Sequence, residues 1–303
     1  MSTSDDTAPP PDVYQRLKEA TPDEKRRIVL ELIRTHPDGR LDLPERDGMA
    51  ADLSRADLSG IDLSSWNSLP EMVPANLQGA IFSGANLHAA GLWCANLRSS
   101  DMSLCNLKES KLANADLEGC NLCGADLEQS DLNMANLKGA QLRNANLAGA
   151  NLTRVNFQQA DLAGANLPNS TLSAVNLDHT NLAGANLKGA QLSGAIFKNA
   201  HMSFANLAGA EMWSAHLEDT DMWRCDLQNA SLWNARLDGC RLLDAKMQGA
   251  ELSSASIRRI YLTGAWLDRT RLTSQQLSGA IGEEIEAQYG DARRVYMSLK
   301  QNF

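Results

Sequence analysis

A repeat of five residues runs through about two thirds of this chain and constrains its fold more than any other feature. From Ala75 to Gly279 the sequence divides into 41 consecutive pentapeptides without an insertion or deletion. We number the positions of each pentapeptide first to fifth. The third, central residue is Leu, Met, Phe or Ile in all 41 pentapeptides, and the first is Ala, Ser, Cys, Thr or Val in 39. The second residue is Asn or Asp in 21 of them.

A period of five suits neither an α-helix nor a continuous strand. Five residues advance about 500° around a helix, so successive central residues would not share one face. Along a strand the side chains alternate with period 2, so an odd period would send successive central residues to opposite faces. The chain must therefore turn once per pentapeptide, with the first and central residues inside and the other three positions outside. Coils stacked at the strand spacing of about 4.8 Å would satisfy the backbone groups.

Pentapeptides such as 145–149 (Ala-Asn-Leu-Ala-Gly) and 165–169 (Ala-Asn-Leu-Pro-Asn) resemble the motif A(D/N)LXX of the pentapeptide-repeat family. The resemblance implies an all-β solenoid, a right-handed quadrilateral β-helix with four pentapeptides per coil. The number four comes from the resemblance and not from the spacing. With it, 41 repeats make about ten coils. The frequent Asn and Asp are expected to bond to nearby backbone at the corners.

The sequence before the main repeat predicts a helical cap and a first, irregular coil. Thr21-Pro22-Asp23-Glu24 is a strong helix start, with an N-cap, a proline at N1 and an acidic first turn. The helix is predicted to end near His36 and to cover the open first coil. Repeat-like units in 41–63 are out of register with the main run, so 64–74 is predicted to be a loop. The expected divisions are a disordered tail at 1–12, the helical cap at 13–40, the first coil and loop at 41–74, and the β-helix at 75–281.

Residues 282–303 are predicted to form a C-terminal helix that closes the last coil. Asp291 is a candidate N-cap for it. The segment also looks like one that leads into further sequence in larger relatives. It therefore raises the hypothesis of another domain after Phe303.

Composition and motifs argue against an enzyme. The chain has 303 residues, a formal charge of −9 and 43% apolar residues. It contains no run of about 18 apolar residues and no secretory signal, so we expect a cytoplasmic protein without a membrane segment. Cys120 and Cys123 have CxxC spacing, but the repeat places one inside and one outside. The five histidines show no ligand spacing, and no nucleotide-binding or nucleophile motif is present. We predict no catalytic residue, no metal and no cofactor.

The charge of the repeat region bears on DNA mimicry, a function that the resemblance suggests. The best-studied relatives are gyrase-binding resistance proteins, and the idea they bring is an acidic rod that imitates DNA. Residues 75–279 hold 18 acidic and 16 basic residues, a net charge of −2, and the four sides carry 0, −1, −1 and 0. A duplex presents on the order of 30 negative charges over the roughly 50 Å of ten coils. Regulation of gyrase by DNA mimicry is therefore the alternative. Basic clusters are also absent, so direct nucleic-acid binding is not expected.

Tryptophan placement favours a scaffold that binds proteins. Trp93, Trp213 and Trp233 share the fourth position of one predicted side, and the last two are expected to stack on adjacent coils. Trp223 falls on the opposite side, and Arg236 follows Trp233 on the adjoining one. Tryptophan and arginine often dominate binding energy, so these five residues are the predicted partner-binding site. The partner is an unidentified protein or a second copy of the chain. The alternative that exposed aromatic side chains only reinforce the ladder stays open.

Overall fold

The computed structural model describes residues 9–36, 41–44, 50–63, 75–273 and 276. The chain divides into two compact units, Met1–Asn151 and Leu152–Phe303. Most of the predicted tail, the predicted loop at 64–74 and the predicted C-terminal helix at 282–303 lie outside the described residues.

Parallel bridges join residues that are twenty positions apart. In the first unit they run from the pair Asn76 and Asn96 to the pair Asp131 and Asn151. In the second unit they run from the pair Asn156 and Asn176 to the pair Glu251 and Arg271. Each bridge joins single second-position residues, so the described repeats form ladders of bridges and not extended strands. Twenty residues are four pentapeptides, which confirms the four-sided coil that the resemblance implies.

A further coil precedes the regular repeat in the first unit. Its four sides are paired as follows: Asp42 with Asn76, Asp52 with Ile81, Asp57 with Asn86, and Asp62 with Gly91. The last three pairs are 29 positions apart, nine more than in the regular coils. The additional residues fall between 63 and 75, where the sequence predicts a loop.

Every backbone N–H of a typical pentapeptide has a partner, and residues 95–99 show how. The donors and acceptors are Ala95 N to Leu92 O (3.1 Å), Asn96 N to Ala75 O (2.9 Å), Leu97 N to Asp116 O (2.8 Å), Arg98 N to Asn96 Oδ1 (3.3 Å) and Ser99 N to Glu118 O (2.9 Å). Carbonyl oxygens of neighbouring coils thus accept three of the five N–H groups, and a carbonyl oxygen of the preceding pentapeptide accepts one. The Asn side chain accepts the fourth-position N–H, which explains why Asn and Asp are frequent at the second position.

The fifth residue of each pentapeptide makes the corner. In the described repeats its φ is positive throughout, from +52° at Arg259 to +79° at Gly239. Glycine adopts this left-handed conformation without steric cost, which accounts for its presence at the fifth position of 15 of the 41 pentapeptides.

The interior of each unit is filled by the first and central residues. Every central residue from Leu77 to Leu272 is buried, and so is every first residue from 75 to 270 except Ala265. The threonines at first positions donate to carbonyl oxygens of the preceding coil, as Thr180 Oγ1 does to Phe157 O at 3.1 Å. The predicted interior positions are thereby confirmed for the described repeats.

Two helices precede the first coil. Helix α1 spans Pro11–Glu19 and helix α2 spans Pro22–Thr35. Helix α2 begins where its start signal predicts, and Thr21 and Glu24 form a reciprocal capping box. Helix α1 was not predicted. Because it begins at Pro11, residues 11 and 12 are helical and do not belong to the predicted tail of residues 1–12.

Both helices contact the first coil. Lys25 Nζ lies 2.9 Å from Asp52 Oδ1, and Arg26 Nη1 donates to Asp57 O at 2.8 Å. From α1, the Tyr14 hydroxyl donates to Pro44 O at 2.7 Å. Lys25 is almost completely buried, so its ion pair with Asp52 fixes the position of α2.

Candidate partner-binding surface

The second unit carries tryptophans on two opposite sides. We call the pentapeptides that begin at 210, 230 and 250 the Trp213 side. The pentapeptides that begin at 200, 220, 240 and 260 form the Trp223 side. They lie two sides further along each four-sided coil. The tryptophan side chains of both sides project from outward positions of a ladder in which backbone hydrogen bonds join neighbouring coils, so the ladder holds them at a fixed spacing.

Trp213 and Trp233 lie on neighbouring coils of the Trp213 side. Their exposed fractions are 48% and 50%, which is high for the largest apolar side chain. The Trp213 Nε1–H donates to Ser231 Oγ at 2.6 Å, which holds that indole across the coil boundary. The expected stack of the two rings is not found among the described ring contacts. Each indole therefore exposes its own surface to solvent.

Trp223 is the centre of a cluster on the Trp223 side. Its ring meets Phe204 from the preceding coil edge to face, with 4.7 Å between ring centroids. The Arg224 guanidinium lies over the indole, 4.8 Å from its centroid. Arg224 Nε is 3.3 Å from Asp244 Oδ2 on the next coil. Trp223 is therefore held between two side chains while 36% of it stays exposed.

The remaining predicted site residues occupy other places. Arg236 is exposed on the side that follows Trp233, and its Nη1 lies 3.7 Å from Glu218 Oε1. Trp93 is half-buried at a fourth position of the first unit. The structure thus brings Trp213, Trp233 and Arg236 to adjoining sides, while Trp223 lies on the opposite side.

Three exposed aromatic residues of the second unit are missing from the predicted site. Phe204 is 53% exposed at a fifth position, and Tyr261 and Trp266 are exposed at second positions. A search of all outward positions for large apolar residues would have found them. The predicted site drew its aromatic residues only from tryptophans at the fourth position.

Acidic residues on the first unit are neutralised by neighbouring coils. Arg98 Nη1 lies 3.1 Å from Asp116 Oδ2 and 2.6 Å from Glu118 Oε2. Lys108 contacts Asp126 and Glu128 in the same way. Arg98 and Lys108 thus each make the net charge around these carboxylates less negative.

The six cysteines are free thiols at inward and outward positions. Cys120 is buried and Cys123 is half-buried, as expected for an inward and an outward position. Desolvation by burial raises the pKa of the Cys105 thiol to about 12, and it raises the pKa of the Cys120, Cys225 and Cys240 thiols further. These thiols are protonated at neutral pH and are therefore poor nucleophiles. Within the described ranges, no group of three or more His, Cys, Asp or Glu side chains could hold a metal ion.

Comparison with known proteins identifies the family. The family model for pentapeptide repeats matches in eight copies between residues 75 and 264. The chain belongs to the pentapeptide-repeat family. Among the described residues of this pentapeptide-repeat protein, neither helix has the length and apolar character of a membrane span.

One similar solved structure supports the fold over most of its length. It is HetL from the cyanobacterium Nostoc sp. strain PCC 7120, a pentapeptide-repeat protein involved in heterocyst differentiation regulation. The identity is 30% and the TM-score 0.58, over 72% of this chain and 89% of HetL. The fold of this pentapeptide-repeat protein is accordingly the quadrilateral β-helix.

Other family members match with lower TM-scores. Rfr23 from the cyanobacterium Cyanothece 51142 is 31% identical over 38% of this chain and 85% of Rfr23, with a TM-score of 0.28. QnrB1, a plasmid-mediated fluoroquinolone resistance protein, is 19% identical over 62% of this chain and 96% of that chain, with a TM-score of 0.34. Comparison with curated proteins finds no match.

Proposed function

We propose that this protein is a non-catalytic scaffold that acts through contacts with other proteins. The observation that carries the proposal is the pair Trp213 and Trp233, which are about half exposed on neighbouring coils of a packed ladder. Tryptophan is enriched among the residues that dominate binding energy, and two such side chains on neighbouring coils give a partner two aromatic anchors. In the described repeats the interior is filled mainly by Leu and Ala, which leaves no room there for a buried substrate pocket.

The Trp213 side differs in rigidity from a flexible binding loop. Trp213 is held by its hydrogen bond to Ser231, and both tryptophans stand on bonded backbone. A rigid side chain loses little conformational entropy when it binds, so more of its contact energy appears as affinity. Arg236, exposed on the adjoining side, adds a charged group at the edge of the apolar surface.

The experiment is affinity capture with the full chain as bait, followed by quantitative mass spectrometry. Trp213→Ala with Trp233→Ala should abolish capture of the specific partner, because both anchors are removed. Ser173→Ala with Ser193→Ala is the matched control. These two serines hold the fourth position of the pentapeptides 170–174 and 190–194, which precede the Trp213 side in the same ladder. We expect the control to capture the partner as the parent does. Equal capture by the tryptophan variant would contradict the proposal.

The alternative is a regulator of gyrase that imitates DNA, which the family resemblance suggests. The ion pairs of Arg98 with Asp116 and Glu118 argue against it, because they neutralise charges that mimicry would require. Supercoiling assays over a salt series decide between the two. Potent inhibition that weakens steeply with salt would favour the alternative, because such dependence is the mark of a charged interface.

Further features of the molecule belong to the same proposal. We infer that α1 and α2 cap the open end of the first coil, supported by the contacts of Tyr14, Lys25 and Arg26 with it. A cap of this kind prevents uncontrolled end-to-end stacking of solenoids. About ten right-handed coils, a cytoplasmic location and the absence of direct nucleic-acid binding stay predictions.

A further inference from the structure

The Trp223 side carries charges of alternating sign around an apolar centre. Six residues on two neighbouring coils form this patch, which we call the checkerboard: Asp221, Trp223 and Arg224 on one coil, and Arg241, Leu243 and Asp244 on the next. On each coil the fourth-position apolar side chain stands between a charge at the second position and an opposite charge at the fifth. The order of the signs reverses from one coil to the next.

The checkerboard is exposed and held in place. Arg224, Arg241 and Asp244 are exposed, and Asp221 and Leu243 are partly so. Asp221 Oδ1 accepts the Trp223 backbone N–H at 3.3 Å, which fixes the carboxylate beside the indole. Arg224 is fixed on the other flank by the indole and by Asp244.

A checkerboard of charges is its own complement. Consider a second copy turned by a two-fold axis that lies across the side, between the two coils, so that the ladders run antiparallel. Asp221 then faces Arg241 of the second copy, and Arg224 faces its Asp244. Each of these opposite-charge pairs occurs twice, because the contact is symmetric. No like charges meet, so the charges favour a second copy of this chain as the partner.

Side-chain size favours the antiparallel orientation over the parallel one. In the antiparallel contact Trp223 faces the smaller Leu243 and Phe204 faces Gly264, so each of these two large side chains meets a smaller one. In the parallel contact the charges also match, but Trp223 would meet its own copy and Leu243 would meet its own. In that contact the two indoles would hold the copies apart at one coil and leave a gap between the two leucines at the next, so packing contacts would be lost.

We propose that two copies of this chain associate through their Trp223 sides in an antiparallel, two-fold contact. The contact uses one side of about four coils, roughly 20 Å along the ladder. The area of such a strip is smaller than the roughly 800 Å² that each partner buries in a standard stable interface. The association is therefore weak and depends on concentration. The proposal goes beyond the scaffold function by naming the occupant of the Trp223 side.

Sedimentation equilibrium of the full chain, from about 10 μM to about 1 mM, measures the association. We expect a reversible monomer–dimer equilibrium. Asp221→Arg places like charges opposite each other twice and should weaken dimerisation about tenfold or more. Arg241→Asp should do the same. The double variant Asp221→Arg with Arg241→Asp restores opposite charges in the antiparallel contact and should recover the parental dissociation constant.

The double variant also tests the orientation. In a parallel contact the arginine introduced by Asp221→Arg would face Arg224 of the second copy, and the aspartate introduced by Arg241→Asp would face its Asp244. Like charges would then meet at every pair, so the double variant would dimerise no better than the single variants. That result would overturn the antiparallel arrangement. A chain that stays monomeric up to about 1 mM would overturn the association altogether.

Two controls separate this inference from general effects and from the scaffold function. Asp226→Arg is matched to Asp221→Arg, because Asp226 holds the same position on the next side and also accepts a fourth-position N–H, that of Gln228 at 3.1 Å. It should leave dimerisation unchanged, and an equal loss would refute a role for the checkerboard. Trp233→Ala should also leave dimerisation unchanged, whereas Trp223→Ala should weaken it. Partner capture depends on Trp213 and Trp233, whereas dimerisation depends on the Trp223 side. The scaffold proposal and the dimer proposal can therefore fail independently.

Discussion

Two glycines at the same corner conformation should respond differently to alanine. Gly239 has φ +79° and Gly209 has φ +67°, so both are left-handed. A Cβ added at Gly239 would lie 2.2 Å from Asp219 Oδ1 and 3.3 Å from its Cγ. A Cβ added at Gly209 would meet nothing within 4 Å. The two positions therefore share the backbone strain and differ in the contact with the preceding coil.

The magnitudes follow from these two contributions. An alanine in the left-handed region costs roughly 1–2 kcal/mol, which applies at both positions. At position 239 the Asp219 carboxylate must also leave its place. A side chain forced from its rotamer costs about 1 kcal/mol more. We therefore expect Gly239→Ala to lower local stability by about 2–3 kcal/mol and Gly209→Ala by about 1–2 kcal/mol.

Native-state hydrogen exchange is the suitable assay, because repeat proteins open locally and their unfolding need not be two-state. Amides of the coils around Gly239 should lose more protection in its variant than those around Gly209 do in theirs. Adding Asp219→Ala to Gly239→Ala should remove the excess, since the clashing oxygen is gone. If the two glycine variants lose equal protection, or if Asp219→Ala gives no rescue, the reasoning about coil-to-coil contact is wrong.

Three more predictions test the interior, the thiols and the N-terminal contact. Leu182→Asp should lower stability by several kcal/mol, because Leu182 is completely buried, and a thermal melt unchanged from the parent would contradict the packing. A thiol reagent at neutral pH should modify only Cys94 and Cys123 in the folded chain, and rapid labelling of more than two thiols by mass spectrometry would count against the burial of the others. For Asp52, burial raises the pKa, but hydrogen bonds from Lys25 and Ser54 outweigh it and hold the pKa below the ordinary 3.8. The stabilisation that ionised Asp52 contributes is therefore fully present above pH 3.8 and is lost as the pH falls through the lower pKa of the folded state. The melting points of the parent and of Asp52→Asn should converge in acid, and a difference that does not change with pH would argue against the ion pair.

The interior and the corners could be predicted from the sequence because they repeat. A large apolar residue every fifth position leaves few ways to bury all of them, and the central residues from Leu77 to Leu272 are buried as expected. The role of the second residue was also predictable, since short polar side chains commonly bond nearby backbone, as Asn96 does with Arg98. Four sides per coil did not follow from the spacing. It came from the resemblance and is confirmed by the bridges of offset twenty.

The features that the sequence did not predict depend on tertiary contacts. Helix α1 follows a proline-rich stretch that resembles a disordered tail, but Tyr14 and Leu17 are buried against the rest of the first unit. On the outer surface, position alone does not determine how a side chain leans. Trp213 turns to Ser231 and does not stack on Trp233, and Phe204 reaches Trp223 from a fifth position. Such choices depend on neighbours that a single pentapeptide does not reveal.

The most direct test of the central claim is the affinity of the captured partner for the parent and for the variant with Trp213→Ala and Trp233→Ala, measured together with thermal melting. We predict that the affinity falls by about a hundredfold or more, as expected when two dominant anchors are lost. The melting point should change little, because the central residues Met212 and Leu232 stay buried. Unchanged affinity with a lowered melting point would contradict a partner-binding role, because the tryptophans would then stabilise the ladder and bind no partner.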